Sequence, residues 1–170
     1  SSIWNSQTGF HNYVIGIGRD NTAGNSGLNK LKSTSISSLN GSVDILTIAN
    51  GVSLAAPSAF AADKSFFVAG SNALTLASTA SSILDLPAGI STRLERVWKA
   101  QEKGTVTNVR MQFAMATVPG VGGVPGANDL ADVRLLVDAN GVFATGATIV
   151  VPATFNNATD LVEFQFDFTG

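Results

Sequence analysis

The end of the chain reads Val162-Glu-Phe-Gln-Phe-Asp-Phe168, with an apolar residue at every second position and a polar residue between them. Because side chains alternate between the two faces of a β-strand, this spacing puts Phe164, Phe166 and Phe168 on one face and the polar residues on the other. A helix would distribute the three rings around its circumference. The stretch therefore predicts a strand with one buried face and one solvated face.

The same two-residue period recurs in three further stretches, Tyr13–Ile17, Thr107–Met115 and Val133–Val137. Turn-forming pairs and a Gly- and Pro-rich segment, Pro119–Gly126, separate the alternating stretches. Many short strands with such punctuation are typical of an antiparallel sandwich. We therefore predict an all-β fold, an antiparallel β-sandwich of jelly-roll or immunoglobulin-like type with long Gly- and Pro-rich loops.

Two further segments have their own sequence signals. Asn140-Gly141 supplies residues that accept a positive φ, which predicts a tight hairpin between Val133–Asp138 and Thr148–Val151. Ser91–Glu102 lacks Gly and Pro and suits a helix or a strand. The β-rich context favours a strand there.

Composition limits the classes of partner. The chain has 170 residues, 45% of them hydrophobic and 13% charged, with a formal net charge of −2. A chain of this length buries enough surface for one self-sufficient core, so we predict a single domain over residues 1–170. The charge balance gives no reason to expect nucleic acid or an anionic membrane as partner.

No stretch approaches the roughly 18 consecutive apolar residues of a membrane span. Because the chain starts at Ser1, we expect a processed mature form or a fragment of a longer secreted protein.

Few residues are available for catalysis. The chain contains no cysteine, which excludes disulfides, thiolate metal sites and Cys nucleophiles together. His11 is the only histidine, and no Gly-x-Ser-x-Gly motif accompanies it. Pairs of carboxylates could serve a glycosidase, but the sequence singles out no pair. We therefore expect a protein that is not an enzyme.

One loop has the beginning of a calcium-binding pattern. Asp138 and Asn140 stand two residues apart before Gly141, and Ca²⁺ prefers such carboxylate and carbonyl oxygens. Val142 occupies the next ligand position, and no glutamate follows where an EF-hand would have one. The pattern leaves two alternatives, a calcium site at Asp138 and Asn140 or an ordinary hairpin turn; no other cofactor is indicated.

Aromatic residues offer a different kind of site. A flat ring can stack on the C–H face of a sugar while nearby polar side chains bind its hydroxyls. Trp4 and Tyr13 are candidate rings, and Asp20 and Asn21 are candidate polar partners. These residues define the alternative function, a carbohydrate-binding module that recognises surface glycans.

Four stretches in the same order, which span most of the chain, resemble a β-rich module of large secreted surface proteins of Bacteroidetes-type bacteria. They are Tyr13–Asp20 with Ser26–Asn29, Phe60–Gly70, Arg93–Lys99 with Gly104, and Leu135–Gly141. The resemblance implies an adhesin-like or spacer unit, placed outside the cell or on its surface, without catalysis.

Together these features predict a non-catalytic structural or adhesive module that associates with neighbouring modules or copies of itself, including assembly into a stalk or filament. Strand edges provide such contacts because their backbone groups can pair with another chain. We expect the docking positions in Val162–Phe168, with the rings of Phe164, Phe166 and Phe168, and in the opening segment Ser1–Gly9.

Overall fold

The computed structural model describes residues 9–22, 27–36, 43–119 and 130–168. Strands dominate these residues, and their helical content is limited to α1 (Ala80–Ile83) and one 3-10 turn, Leu130–Asp132. The strands are β1 (Asn12–Asp20), β2 (Leu28–Lys30), β3 (Lys32–Ile36), β4 (Val43–Asn50), β5 (Ser65–Ser71), β6 (Trp98–Lys103), β7 (Val109–Ala114), β8 (Leu135–Val137), β9 (Thr148–Val150), β10 (Thr154–Asn156) and β11 (Leu161–Phe166).

The strands form antiparallel sheets. A four-stranded sheet has the order β2-β1-β5-β6, a five-stranded sheet has the order β10-β11-β7-β4-β3, and β8 pairs with β9. The chain passes from the first sheet to the second through the single residue Leu31, between β2 and β3. The Ser35 hydroxyl of β3 donates a hydrogen bond of 2.7 Å to the Tyr13 carbonyl of β1. The predicted all-β sandwich of antiparallel sheets is confirmed.

The chain divides into two compact units. The first holds the described residues up to Asn72, Trp98–Phe113 and those from Gln165 onward, and the second holds Ala73–Val97 and those from Ala114 to Phe164. The interpretation of residues 1–170 as one domain stays a prediction.

Burial follows the predicted alternation. In β1, Ile15 and Ile17 are buried, and in β7 Met111 and Phe113 are buried. In β11, Val162 and Phe164 are buried, whereas the polar residues between and after them are half-buried. Most residues that the two-residue period assigns to the apolar face of these strands are therefore in the core, although Arg110 on the other face of β7 is also buried.

Close packing at the end of β6 requires a glycine. Gly104 has a φ of +79°, and a Cβ at this position would lie 2.5 Å from the Lys64 carbonyl oxygen. The Thr105 N–H that follows donates to the Ser65 hydroxyl at 3.1 Å. Because the obstacle is backbone, a larger residue could enter only by moving the β5 strand.

The segment before β6 differs from its prediction. Ser91–Val97 is not a strand, and regular structure begins only at Trp98. Two arginines of this segment bond to backbone carbonyls, Arg93 Nε to Asp85 at 3.1 Å and Arg96 Nε to Leu74 at 2.7 Å. These bonds hold an irregular path, so the strand prediction for the first part of Ser91–Glu102 is wrong.

The hairpin of β8 and β9 is present, but its turn is long. Leu135 lies opposite Val150, and Val137 lies opposite Thr148. Residues 138–147 connect the strands, so the predicted tight two-residue turn is wrong. The Asp138 carboxylate accepts backbone hydrogen bonds inside this connection and stabilises a wider loop.

Candidate functional site

The strands at the ends of the two larger sheets differ in charge. An exposed strand edge can pair with a foreign strand, and lysines on edge strands oppose such pairing. Lys30 lies in β2, Lys32 in β3, and Lys99 and Lys103 in β6. Among these four end strands of the described sheets, β10, with the sequence Thr154-Phe-Asn156, alone has no charged residue.

The uncharged character extends beyond β10. The sequence has no charged residue between Asp138 and Asp160. Three large apolar side chains in this stretch are exposed on or near β9 and β10: Ile149, Val151 and Phe155. We call Thr154–Asn156 the β10 edge.

Phe155 continues the buried face of the sheet onto its last strand, β10. It lies directly opposite Val162 of β11. Opposite residues in antiparallel strands project from the same face, and Val162 is 0% exposed. Phe155 remains 47% exposed because no strand follows β10 in the described sheet. A strand added outside β10 would cover this ring.

The three rings predicted for self-association lie elsewhere. β11 lies between β10 and β7, and Phe164 is 2% exposed. Phe166 and Phe168 are half-buried and pack together with their ring centroids 4.9 Å apart, and Phe168 also packs on Phe67 at 5.0 Å. An interior strand has no free edge, and the end of this sheet is the neighbouring β10. Self-association through Phe164, Phe166 and Phe168 stays a prediction from the sequence. The expected docking of the opening segment falls on residues 1–8, which lie outside the described residues.

The structure does not assemble the residues of the predicted sugar platform. Trp4 lies outside the described residues. Tyr13 and Asp20 stand at opposite ends of β1, and seven residues of strand span about 23 Å. Tyr13 is half-buried, and Asp20 and Asn21 lie near the far end of the strand. Glycan binding therefore stays a prediction from the sequence.

Asp20 and Asn21 participate in local hydrogen bonds. Asp20 Oδ1 accepts from the Thr22 hydroxyl and from the Thr22 N–H, the latter at 2.8 Å. Both bonds lower the pKa of Asp20 below its ordinary value, and the bond from the Thr22 hydroxyl has the larger effect. The Asn21 N–H donates to Asp63 Oδ1 at 2.7 Å. Both residues thus help to form the turn after β1.

The predicted calcium loop is held by its own backbone. Asp138 Oδ1 accepts from the N–H groups of Asn140, Gly141 and Val142 at 2.8, 2.7 and 3.1 Å. Asn140 Oδ1 accepts from the Val142 N–H at 2.8 Å. Within the described part of the chain, no three His, Cys, Asp or Glu side chains cluster as metal ligands. A calcium site at Asp138 and Asn140 stays a prediction.

A cluster of Asp85, Arg93 and Phe143 was not predicted from the sequence. Asp85 Oδ2 pairs with Arg93 at 2.9 Å, and its Oδ1 accepts from the Ala144 N–H at 2.7 Å. The Arg93 guanidinium also lies over the Phe143 ring, 4.9 Å from its centroid. The cluster fastens the loop before β9 to the segment after α1. Because its partners are far apart in sequence, no local pattern could have shown it.

One carboxylate of the first unit lies in an unfavourable place. Glu102 Oε2 is buried without a hydrogen-bond partner. The indole nitrogen of Trp98 is also buried without a partner, and the two side chains lie on the same face of β6. Burial, and then the negative charge of Asp167, raise the pKa of Glu102 above its ordinary value. The Trp98 ring packs edge-on against Phe113, 5.5 Å between centroids, and belongs to the packing of the unit.

The comparisons with known proteins give a family without an assigned activity. The family model of the domain of unknown function DUF8202 matches residues 1–168. The chain belongs to the DUF8202 family. No curated protein and no solved structure matches this DUF8202 chain. In the described residues, it contains no helix that is long and apolar enough to cross a membrane.

Proposed function

We propose that this chain is a non-catalytic structural or adhesive module of an extracellular bacterial surface protein, and that a second copy or a neighbouring module docks on its β10 edge. The observation that carries the proposal is the contrast between β10, uncharged and with Phe155 half exposed, and the lysine-bearing strands at the other three ends of the two larger sheets. Strand addition at such an edge forms backbone hydrogen bonds without any reaction. The bacterial surface context rests on the resemblance of Phe60–Gly70 and the other quoted stretches.

The chemistry of the described carboxylates supports a structural role. Asp85 and Asp138 accept backbone hydrogen bonds that fix loops of the second unit. A general acid or base instead needs a group that can reach a substrate proton. The proposal therefore assigns these carboxylates to loop structure and gives them no role toward an external substrate.

The size of the contact predicts a weak association. A phenylalanine buries about 200 Å² when fully covered, so covering the exposed half of Phe155 contributes about 2 kcal/mol. Association costs roughly 4–15 kcal/mol in lost freedom of motion. The new backbone hydrogen bonds and the other side chains of the docked strand must supply the remainder. We therefore expect association to depend on concentration, and tandem modules to associate more readily than single ones.

The test is the mass of the domain in solution, measured by size-exclusion chromatography with light scattering over a concentration series. Phe155→Lys places a charge on the β10 edge. Asn29→Lys is the matched control on β2, whose three residues are also exposed and which already carries Lys30. We expect dimers of the wild type and of the control, and monomers of Phe155→Lys. A wild type that stays monomeric up to about 1 mM would refute self-association through this edge. Equal dissociation of both variants would refute the assignment to β10.

A further inference from the structure

The sequence contains three Asn-Gly pairs, at residues 40–41, 50–51 and 140–141. In such a pair, the backbone nitrogen of glycine can attack the asparagine side chain, since glycine has no Cβ to obstruct the approach. The first pair lies outside the described residues. Asn50 is 5% exposed, and its Nδ2 donates to the Ser58 carbonyl at 2.9 Å, whereas Asn140 is exposed in the loop after β8.

The loop around Asn140 brings together the groups that this attack requires. The nucleophile is the Gly141 nitrogen, and its N–H points at Asp138 Oδ1, 2.7 Å away. A carboxylate at hydrogen-bond distance can take up that proton as a general base. The Val142 N–H donates to Asn140 Oδ1 at 2.8 Å, where negative charge develops when the side-chain carbon is attacked.

Asn50 has a different environment. Its own N–H donates to the Leu31 carbonyl at 2.9 Å, and the Gly51 N–H donates to the Asn108 carbonyl at 2.8 Å. A peptide carbonyl is no base for the Gly51 nitrogen. A Cβ at Gly51 would also lie 2.3 Å from the Ser58 hydroxyl, so the site is closely packed. Burial and these bonds prevent the side chain from turning toward the nitrogen.

We propose that Asn140 is a site of self-catalysed modification, converted through a succinimide to aspartate or isoaspartate with Asp138 as the base. The Gly141 nitrogen gives its proton to Asp138 and forms a bond to Asn140 Cγ. The Cγ–Nδ2 bond then breaks, and Nδ2 takes up the proton from Asp138 and leaves as ammonia. One water molecule opens the ring at either carbonyl. The net reaction consumes one water, releases one ammonia and leaves one new carboxylate beside Asp138.

The reaction is measured by peptide mass spectrometry of the folded protein after incubation in mildly alkaline buffer. Cleavage after Arg134 releases Asn140 in a fragment without another Asn-Gly pair, and cleavage before Asp44 separates Asn50 from Asn40. We expect modification of Asn140 to be at least about tenfold faster than that of Asn50. Similar rates at the two sites in the folded protein would overturn the proposal.

The role of Asp138 is tested with Asp138→Asn, which keeps an oxygen acceptor but removes the base. Asp20→Asn is the matched control, because Asp20 also accepts an N–H from the residue two positions later. We expect Asp138→Asn to slow modification of Asn140 by about 100-fold and Asp20→Asn to leave it unchanged. The rate at Asn50 shows whether each variant is folded, since unfolding would expose that site. An unchanged rate in folded Asp138→Asn would overturn the assignment of the base.

Discussion

Replacement of Phe164 by alanine should destabilise the protein far more than the same change at Phe155. Both rings belong to neighbouring strands of one sheet, yet Phe164 is 2% exposed and Phe155 is 47% exposed. A buried Phe→Ala change costs about 3–5 kcal/mol, because contacts are lost and a cavity remains. At Phe155, where about half of the ring is already in water, the loss should be about 1 kcal/mol. For a chain of this length, the Phe164 loss corresponds to a fall in Tm of roughly 6–20 °C.

The two variants are compared with the wild type by thermal and urea unfolding, both followed by circular dichroism. The comparison is made at low protein concentration, so that association through the β10 edge does not stabilise the wild type. Equal losses in the two variants, or a larger loss for Phe155→Ala, would refute the placement of β11 inside the sheet and of β10 at its edge.

Three further changes test other parts of the structure. Glu102→Gln should raise the Tm more at neutral pH than at a pH of about 4. The pKa of Glu102 is raised in the folded protein, so the wild type loses stability as the pH rises through that pKa, and the variant does not; a gain independent of pH would contradict this. Gly104→Ala should lower the free energy of unfolding in urea more than Gly141→Ala, which should lower it by about 1 kcal/mol. Both glycines have a positive φ, but only a Cβ at Gly104 would meet a backbone oxygen; equal losses would show that this contact is not tight. Arg93→Lys should lower the free energy of unfolding by roughly 1–3 kcal/mol, since lysine cannot bond Asp85 and the Leu94 carbonyl with one planar group; a loss within experimental error would contradict the structural role of the cluster.

The strands that alternate clearly were predictable from the sequence. Ile15 and Ile17 in β1, and Met111 and Phe113 in β7, are buried as the two-residue period requires. Alternation reports which face of a strand is apolar, and the burial of a whole face is the largest local energy term. The strand class of the fold therefore follows from the residues alone.

The order of the strands was not predictable in this way. The period in Val162–Phe168 is the same for an edge strand and an interior strand, so the sequence could not show that β10 covers β11. One signal was available, the absence of charge between Asp138 and Asp160, and it points to the β10 edge only after the lysines of the other end strands are known.

Contacts of long sequence separation account for the other differences. Arg93 bonds back to Asp85, and Asp85 binds the Ala144 N–H, 59 residues further along the chain. These bonds stabilise an irregular segment at Ser91–Val97, where propensity favoured a strand. The turn at Asn140-Gly141 was misjudged for a local reason, since the preceding Asp138 competes for the N–H groups that a two-residue turn would use.

Among the end strands of the two larger described sheets, only β10 is uncharged, and this has a consequence for stoichiometry. When each copy has one docking edge, two copies related by a two-fold axis bury both edges in one interface, and the assembly ends as a dimer. Growth into a fibre requires two different sticky surfaces per repeating unit. An isolated module of this kind should therefore stop at the dimer, and any longer polymer must draw its continuity from the covalent chain that links successive modules.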